Sequence, residues 1–333
     1  MAALRTLVIC VGWLLAGGLT SAACAVVSTN STISTVDVDQ ASLPPAGWSL
    51  KALLGGRPDV MLQVLERPAV ALPARYLMVV VPGSGCTGWE PVATRYFAGL
   101  LHAELLVLHK PGAKVDAGLA AVCTPDFIQN DTLSAWRDHA RAALRAYFST
   151  RFSKNSDHPS LPVLLLGISE GAELLPELAA EVPHLAAMVM ISAPGLDPLE
   201  TGQLQAQRLG QWPAWQVLAS LQSSDASDDT VHQGRTLGYW RDFWRWKLTQ
   251  PLLDAPWPLL RVWGGADVLV PELAYQRFTD QSRSRLAQAC HIRLPDADHG
   301  LQSSQLDGVQ WLWARIEVWA RRPANGFCAL VLP

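Results

Sequence analysis

From Trp48 onward the chain separates into short, bounded apolar runs and longer amphipathic stretches. Trp48 to Leu54 and Val60 to Glu66, split by Gly55-Gly56-Arg57-Pro58, predict an antiparallel edge hairpin. The pattern then changes. Tyr76 to Val81, Glu104 to Leu108, Val163 to Leu166 and Leu185 to Ile191 are apolar runs, as expected of strands buried on both faces, and Leu259 to Trp263 and Cys290 to Leu294 read as two further strands. Helical spacing is read between them, over Val92 to Leu101, Asp126 to Thr150 and Leu306 to Trp319. The second is the clearest, with Leu133, Trp136, Ala140, Ala143, Leu144, Tyr147 and Phe148 on one stripe and Asp131 as the expected N-cap. His139, on the border of that stripe, reads as structural. A polar loop, Phe152 to Ser160, follows. Strands alternating with helices predict an α/β fold with a mostly parallel central sheet flanked by helices.

One interval breaks this rhythm. Pro198 to Pro256 separates two strands that would ordinarily be joined by roughly 2 to 6 residues, so a segment is inserted there. It holds helical material over Leu204 to Leu218, an acidic hinge over Ser223 to Thr230, and an aromatic run in which Trp240, Phe243, Trp244 and Lys247 have the spacing of one helix. The expectation is a helical lid, with Trp240 and Trp244 contacting substrate; the competing reading is that these rings fasten the insertion to the core.

Composition narrows the setting. Half of the 333 residues are apolar, enough for a sizeable core, and a formal charge of −3 with no basic stripe argues against nucleic acid as a partner. Arg5, the apolar stretch Leu7 to Leu19 and Ser21-Ala22-Ala23 read as a signal peptide over 1–23, which implies export to the periplasm or beyond; residues 24–47 read as a tether and 48–333 as the folded domain. Cys24 directly follows the cleavage site and raises lipid anchoring, although Ser21 stands where such signals carry leucine. Membrane contact is expected only through that lipid. Removing the leader leaves Cys86, Cys123, Cys290 and Cys328, which permit three pairings; Cys86 with Cys123 and Cys290 with Cys328 join segments expected to be neighbours. The cysteine and histidine spacings show no metal site, and no cofactor is implied.

The chemistry centres on Leu161 to Ala179, where an apolar strand runs into Gly167-Ile168-Ser169-Glu170-Gly171 and then into a helix. A serine on such a turn projects its hydroxyl from the carboxyl edge of the sheet, with the amide of Glu170 facing a developing oxyanion. Serine is a weak nucleophile near neutrality and needs a base held by a carboxylate. Asp267 and His299 each follow a buried strand, which puts both at the same edge, whereas His291 lies at a strand start, the opposite end.

With those residues in place the chain from about Trp48 resembles the α/β-hydrolase fold, with GISEG as nucleophile elbow, GGADVLVP as acid loop and DADHG as histidine loop. The resemblance implies Ser169 as nucleophile, His299 as base and Asp267 as acid, with Asp197, after the sixth strand, as the alternative acid. It also places the lid at the insertion, about 198–256. The second oxyanion donor comes from the loop after the third strand, here Pro82-Gly83-Ser84-Gly85-Cys86, with the amide of Ser84 expected and Gly85 as alternative. Proline stands where the family often has histidine, and a Cys86–Cys123 disulfide would prop the loop instead. The implied activity is an exported serine hydrolase acting on carboxylic esters. A peptidase or thioesterase on the same triad, or a non-catalytic binding protein of this fold, are the alternatives. Its partner would be a small ester or peptide-like substrate, with Glu170 either binding a cationic substrate group or serving as an inward-facing structural acid.

Overall fold

The computed structural model describes residues 46–118, 122–152, 160–323 and 326–328. The expected signal peptide, Cys24, nearly all of the lead-in and most of the Phe152 to Ser160 loop lie outside these residues. The edge hairpin forms as β1 (Ser49–Leu54) and β2 (Met61–Arg67), followed by β3 (Tyr76–Val81), α1 (Glu90–Tyr96), β4 (Ala103–Leu108), α2 (Pro125–Asn130) and α3 (Leu133–Arg151). Next come β5 (Val163–Ile168), a short 3-10 helical turn (Ser169–Leu174), α4 (Leu175–Ala179) and β6 (Leu185–Ile191). The insertion contains α5 (Pro198–Arg208), α6 (Trp212–Gln222), a two-residue hairpin β7 (Val231–His232) with β8 (Arg235–Thr236), α7 (Leu237–Arg245) and α8 (Thr249–Asp254). The chain closes with β9 (Leu259–Gly264), α9 (Glu272–Gln281), β10 (Ala289–Leu294) and α10 (Gly308–Trp319).

Eight strands make one sheet in the order β1-β2-β4-β3-β5-β6-β9-β10. β3 to β6, β9 and β10 are mutually parallel, and β2 pairs antiparallel with both β1 and β4. The continuous apolar runs follow from burial on both faces: all six residues of β3 are buried. Leu77, Val79 and Val81 face one core with Trp136, Ala140 and Leu144 of α3, while Tyr76, Met78 and Val80 face the other with Phe97, Trp313 and Ile316.

Three expectations on the elements are corrected. The helix expected over Asp126 to Thr150 divides into α2 and α3, and the second is capped by Thr132, whose Oγ1 accepts from the amide of Ala135 at 3.1 Å. Asp131 is not the cap, because its carboxylate is buried against Lys110, with Oδ1 2.8 Å from Nζ. The helix expected over Leu204 to Leu218 is also two, α5 and α6, parted at Gly210, which takes φ +66°. His139, read as structural, accepts through Nδ1 from the amide of Gly56 at 2.9 Å and so ties α3 to the edge hairpin.

The insertion is fastened firmly. Trp215 of α6 stacks on Trp244 of α7 with ring centroids 4.7 Å apart, and Arg241 donates to the carbonyls of Gln222 at 2.9 Å and Ala226 at 2.8 Å. Asp242 accepts from both the amide and the hydroxyl of Ser134 at 2.6 Å, joining α7 to the start of α3. Both cysteine pairs are bonded, with Cα separations of 5.5 Å for Cys86–Cys123 and 5.2 Å for Cys290–Cys328. Among the described residues no helix is long and apolar enough to cross a membrane.

Candidate active site

The parallel strands aim their carboxyl ends at one edge, and the chemistry-bearing residues collect there. Ser169 directly follows β5 and holds φ +50°, a conformation that costs a non-glycine residue free energy and is kept by its surroundings. Those surroundings are tight. A Cβ at Gly171 would lie 2.2 Å from the carbonyl oxygen of Pro82, so only glycine lets the turn after β5 press against the end of β3. Ser169 is thereby set beside the Pro82 to Cys86 loop; a Cβ on Gly83 would come 3.4 Å from that of Ser169.

His299 is held from three directions. Its Nε2 lies 3.1 Å from Ser169 Oγ and its Nδ1 lies 2.8 Å from Asp267 Oδ2. Its carbonyl accepts from the buried hydroxyl of Ser192 at 2.5 Å. Because the Asp267 carboxylate can only accept, Nδ1 carries the proton and Nε2 is left to accept from Ser169. Asp267 has its own support: Oδ1 accepts from the amides of Leu269 at 2.7 Å and Val270 at 3.1 Å, and Oδ2 accepts from Tyr275 Oη at 3.1 Å. Burial pushes the Tyr275 hydroxyl far above its ordinary range, with Asp267 adding to the shift, so it remains a donor.

The acid and histidine loops are laced together by backbone. Gly265 donates to the carbonyl of Leu294 at 2.7 Å and Ala266 to that of Ala297 at 2.9 Å. A Cβ at Gly264 would meet the Ala297 carbonyl at 2.1 Å, which explains why the acid loop opens with glycine. Asp197, the alternative acid, is occupied elsewhere. Its Oδ1 accepts from the amides of Leu248 at 2.8 Å and Thr249 at 2.9 Å, and its Oδ2 from Lys247 at 3.0 Å, so it clasps the junction of α7 and α8. Burial opposes ionisation there, but those three donors outweigh it and hold the carboxyl below its usual range. His291, within β10, is engaged elsewhere: it accepts through Nδ1 from Arg261 Nε at 3.2 Å and gives Nε2–H to Ser282 Oγ at 2.8 Å.

A cavity opens beside Ser169. Ser84 and Glu170 line it, with Glu173, Ser192, Ala193, Pro194, Leu269 and Val270 from the body and Thr201, Gly202, Gln205 and Tyr239 from the insertion. The amide of Glu170 opens the 3-10 turn, where the first N–H groups have no acceptor within the helix. Trp240 and Trp244, the expected substrate contacts, do not line this cavity. Trp240 is buried, giving Nε1–H to the carbonyl of His232 at 3.0 Å, and Trp244 is spent on its stack with Trp215. The aromatic residue of the insertion that reaches the site is Tyr239.

Glu170 is an inward-facing acid, not a free carboxylate awaiting a cation. Its side chain pairs with Lys110, lies 3.5 Å from Arg235 Nη2 and accepts from Tyr239 Oη at 2.9 Å. Asp131 joins by pairing with both Lys110 and Arg235, and Arg235 also lies 4.3 Å over the Tyr239 ring. Two cations thus meet two anions in one buried cluster that links β4, α2, the elbow and the insertion. Burial works against each charge, yet Asp131 and Glu170 hold Lys110 above the ordinary lysine range, and Lys110 with Arg235 holds Glu170 below the usual carboxylate range. Sequence reasoning missed Lys110, Arg235, Ser192 and Tyr275: each stands alone in its segment, and no spacing ties it to the elbow. Among the described residues no group of three or more His, Cys, Asp or Glu side chains is placed to hold a metal ion.

No family model matches the chain, and no curated protein does. Solved structures do. Alpha/beta hydrolase domain-containing protein 10 from mouse superposes with a TM-score of 0.53 at 15% identity, over 83% of this chain and 99% of that one. The esterase domain of a Rhodothermus marinus protein gives 0.51 at 19% identity, over 83% and 98% of the two chains. Est1E from Butyrivibrio proteoclasticus gives 0.52 at 14% identity, over 81% and 98%. Likeness at such identities speaks to architecture, and together with the sheet order it establishes that the chain has the α/β-hydrolase fold.

Proposed function

We propose that the protein is an exported serine hydrolase that cleaves carboxylic esters through an acyl-enzyme intermediate. The observation that carries this reading is the unbroken relay of 3.1 Å from Ser169 Oγ to His299 Nε2 and 2.8 Å from His299 Nδ1 to Asp267 Oδ2. Ser169 attacks the ester carbonyl while Nε2 takes its proton. The resulting imidazolium is stabilised by Asp267, whose charge is spread over two amides and the Tyr275 hydroxyl. The amides of Glu170 and Ser84 receive the tetrahedral oxyanion, each such donor being worth on the order of 10² to 10³ in rate. His299 then returns the proton to the leaving alcohol, and water repeats the sequence on the acyl-enzyme. Nothing in folding requires these three side chains to meet, which weighs against a purely binding protein.

Ester chemistry is favoured over capture of a peptide amino terminus because Glu170 is already neutralised by Lys110 and Arg235. Esterases among the solved structures of this fold lend the same reading support. Two disulfides suit an oxidising compartment, in line with the expected leader.

The test is turnover by the protein purified without its leader. On p-nitrophenyl esters, acyl thioesters and aminoacyl amides, esters are expected to be cleaved fastest and Ser169→Ala to lose at least about 10³-fold in kcat. Faster cleavage of the amides would replace the ester assignment by a peptidase one. Equal turnover by Ser169→Ala would remove the mechanism.

A further inference from the structure

The buried cluster accounts for Glu170 and leaves a second carboxyl on the same turn unexplained. Glu173 lines the cavity beside Ser169, and its Oε2 is shut off from solvent with no hydrogen-bond partner. Thr201 Oγ1, on α5 and in the same cavity, is also buried and without a partner. Buried polar atoms are nearly always satisfied, so two orphans in one small cavity next to the reactive serine call for a reason.

The neighbouring polar groups do not supply it. Gln205 is committed, its Nε2 donating to the Val268 carbonyl at 3.1 Å and its Oε1 accepting from Arg208 at 2.9 Å. Tyr239 gives its proton to Glu170. Ser192, also in the lining, gives its hydroxyl to the His299 carbonyl, and Ala193, Pro194, Leu269 and Val270 are apolar. Burial first, and the adjacent Glu170 charge second, push the Glu173 carboxyl well above its ordinary range, against the smaller pull of Lys110 and Arg235, with Asp197 acting in the same sense as Glu170. Burial thus favours the protonated form of Glu173, which offers one O–H donor and one acceptor, and Thr201 offers one of each.

We infer that this cavity receives a substrate arm carrying an uncharged hydrogen-bonding oxygen, a hydroxyl or a keto group, held by Glu173 and Thr201. This deepens the serine-hydrolase reading and rests on it. A plain alkyl arm would leave both orphans buried and unpaired, and a site built to bond a hydroxyl discriminates strongly against an analogue without it. A carboxylate arm would be buried with no cation in the lining to pair with, since Lys110 and Arg235 are held by Asp131 and Glu170. An ammonium arm would require Glu173 to ionise where burial opposes it.

Matched esters test this on both arms. p-Nitrophenyl butyrate is compared with p-nitrophenyl 3-hydroxybutyrate, and propyl butyrate with 2-hydroxyethyl butyrate, by kcat/KM. The expected result is a preference of about tenfold or more for the hydroxylated member on one arm. Glu173→Leu and Thr201→Val should each cut that ratio at least threefold, and Glu173→Gln, which keeps a donor and an acceptor, should retain most of it. Thermal midpoints verify that each variant is folded, and the Thr201→Val result stands if Glu173→Leu does not fold. Ratios near one on both arms, an undiminished preference in folded Glu173→Leu and Thr201→Val, or faster turnover of a glycyl ester than of the hydroxylated esters would overturn the inference while leaving the hydrolase reading intact. Turnover of none of these esters, with no covalent labelling of Ser169 by a fluorophosphonate, would instead remove the hydrolase reading and the inference with it.

Discussion

The Tyr275 hydroxyl lies 3.1 Å from Asp267 Oδ2, the same oxygen that faces His299 Nδ1. Tyr275 is buried on α9 and stacks on Trp263 of β9, so its hydroxyl is fixed by packing before it meets the carboxylate. Hydrogen bonds to charged groups contribute about 1.5 to 3 kcal/mol. Tyr275→Phe is therefore expected to lower kcat about tenfold with KM little changed, since Asp267 keeps its two amide donors. Steady-state kinetics on a p-nitrophenyl ester will show this; an unchanged kcat would mean that the amides alone hold the acid.

Lys110 bridges Asp131 and Glu170 with its side chain only 2% exposed. Replacing it with methionine leaves Arg235 as the one cation of the cluster for two buried carboxylates, and breaking a buried ion pair from one side costs about 3 to 5 kcal/mol. Lys110→Met should lose that much in urea unfolding. A loss below about 1 kcal/mol would show that Arg235 suffices to neutralise both acids.

Two histidines make folding sensitive to acid. His109 accepts through Nε2 from the amide of Trp89 at 3.0 Å, and burial depresses it to about 4; burial, followed by Arg261 and Arg285, depresses His291 to about 3. Both are held neutral in the folded chain. The stability they contribute is fully present above the unfolded value near 6.5 and is lost as pH falls through the window down to about 4 and about 3. Glu173 acts in the opposite direction, because its raised value makes the folded chain hold a proton that the unfolded chain releases as pH rises above the ordinary carboxyl range. Relative to wild type, His291→Gln should flatten the decline in unfolding free energy between pH 6.5 and 4, and Glu173→Gln should gain stability between pH 5 and 8. Urea titrations across that range measure both, and parallel curves for all three proteins would contradict the assignment.

The Cys86–Cys123 bond anchors the loop that carries Ser84 to the segment ahead of α2. Cross-links of this kind stabilise by about 2 to 4 kcal/mol. The double variant Cys86→Ser/Cys123→Ser is expected to lose stability on that scale and, because the loop proposed to supply an oxyanion donor loosens, to lose kcat several-fold more than Cys290→Ser/Cys328→Ser. Equal kcat for the two double variants would mean that the loop is held by Gly171 packing on Pro82 alone.

Much of this molecule was legible in its residues, for reasons that are local. Parallel strands buried on both faces are largely apolar, so β3, β5 and β6 announced themselves, and the order of Ser169, Asp267 and His299, each placed after a strand, put all three at one edge. The rest depended on distant partners. Asp131 has the composition of a cap, and only the fold shows that Lys110 claims it while Thr132 does the capping. The tryptophans of the insertion marked a helix, but which ring faces the serine is a matter of helix rotation, and packing against Trp215 turned Trp244 inward and left the site to Tyr239. Glu173 and Thr201 carried no signal, since an unpaired polar atom is defined by what fails to surround it.

The central claim is that Ser169 is the nucleophile, and covalent labelling reads it directly. The protein purified without its leader is treated with a fluorophosphonate, digested, and mapped by mass spectrometry. The account predicts one stoichiometric adduct on Ser169 and none on Ser169→Ala; a folded protein that takes no label, or an adduct on Ser84 or Ser192 instead, would contradict it.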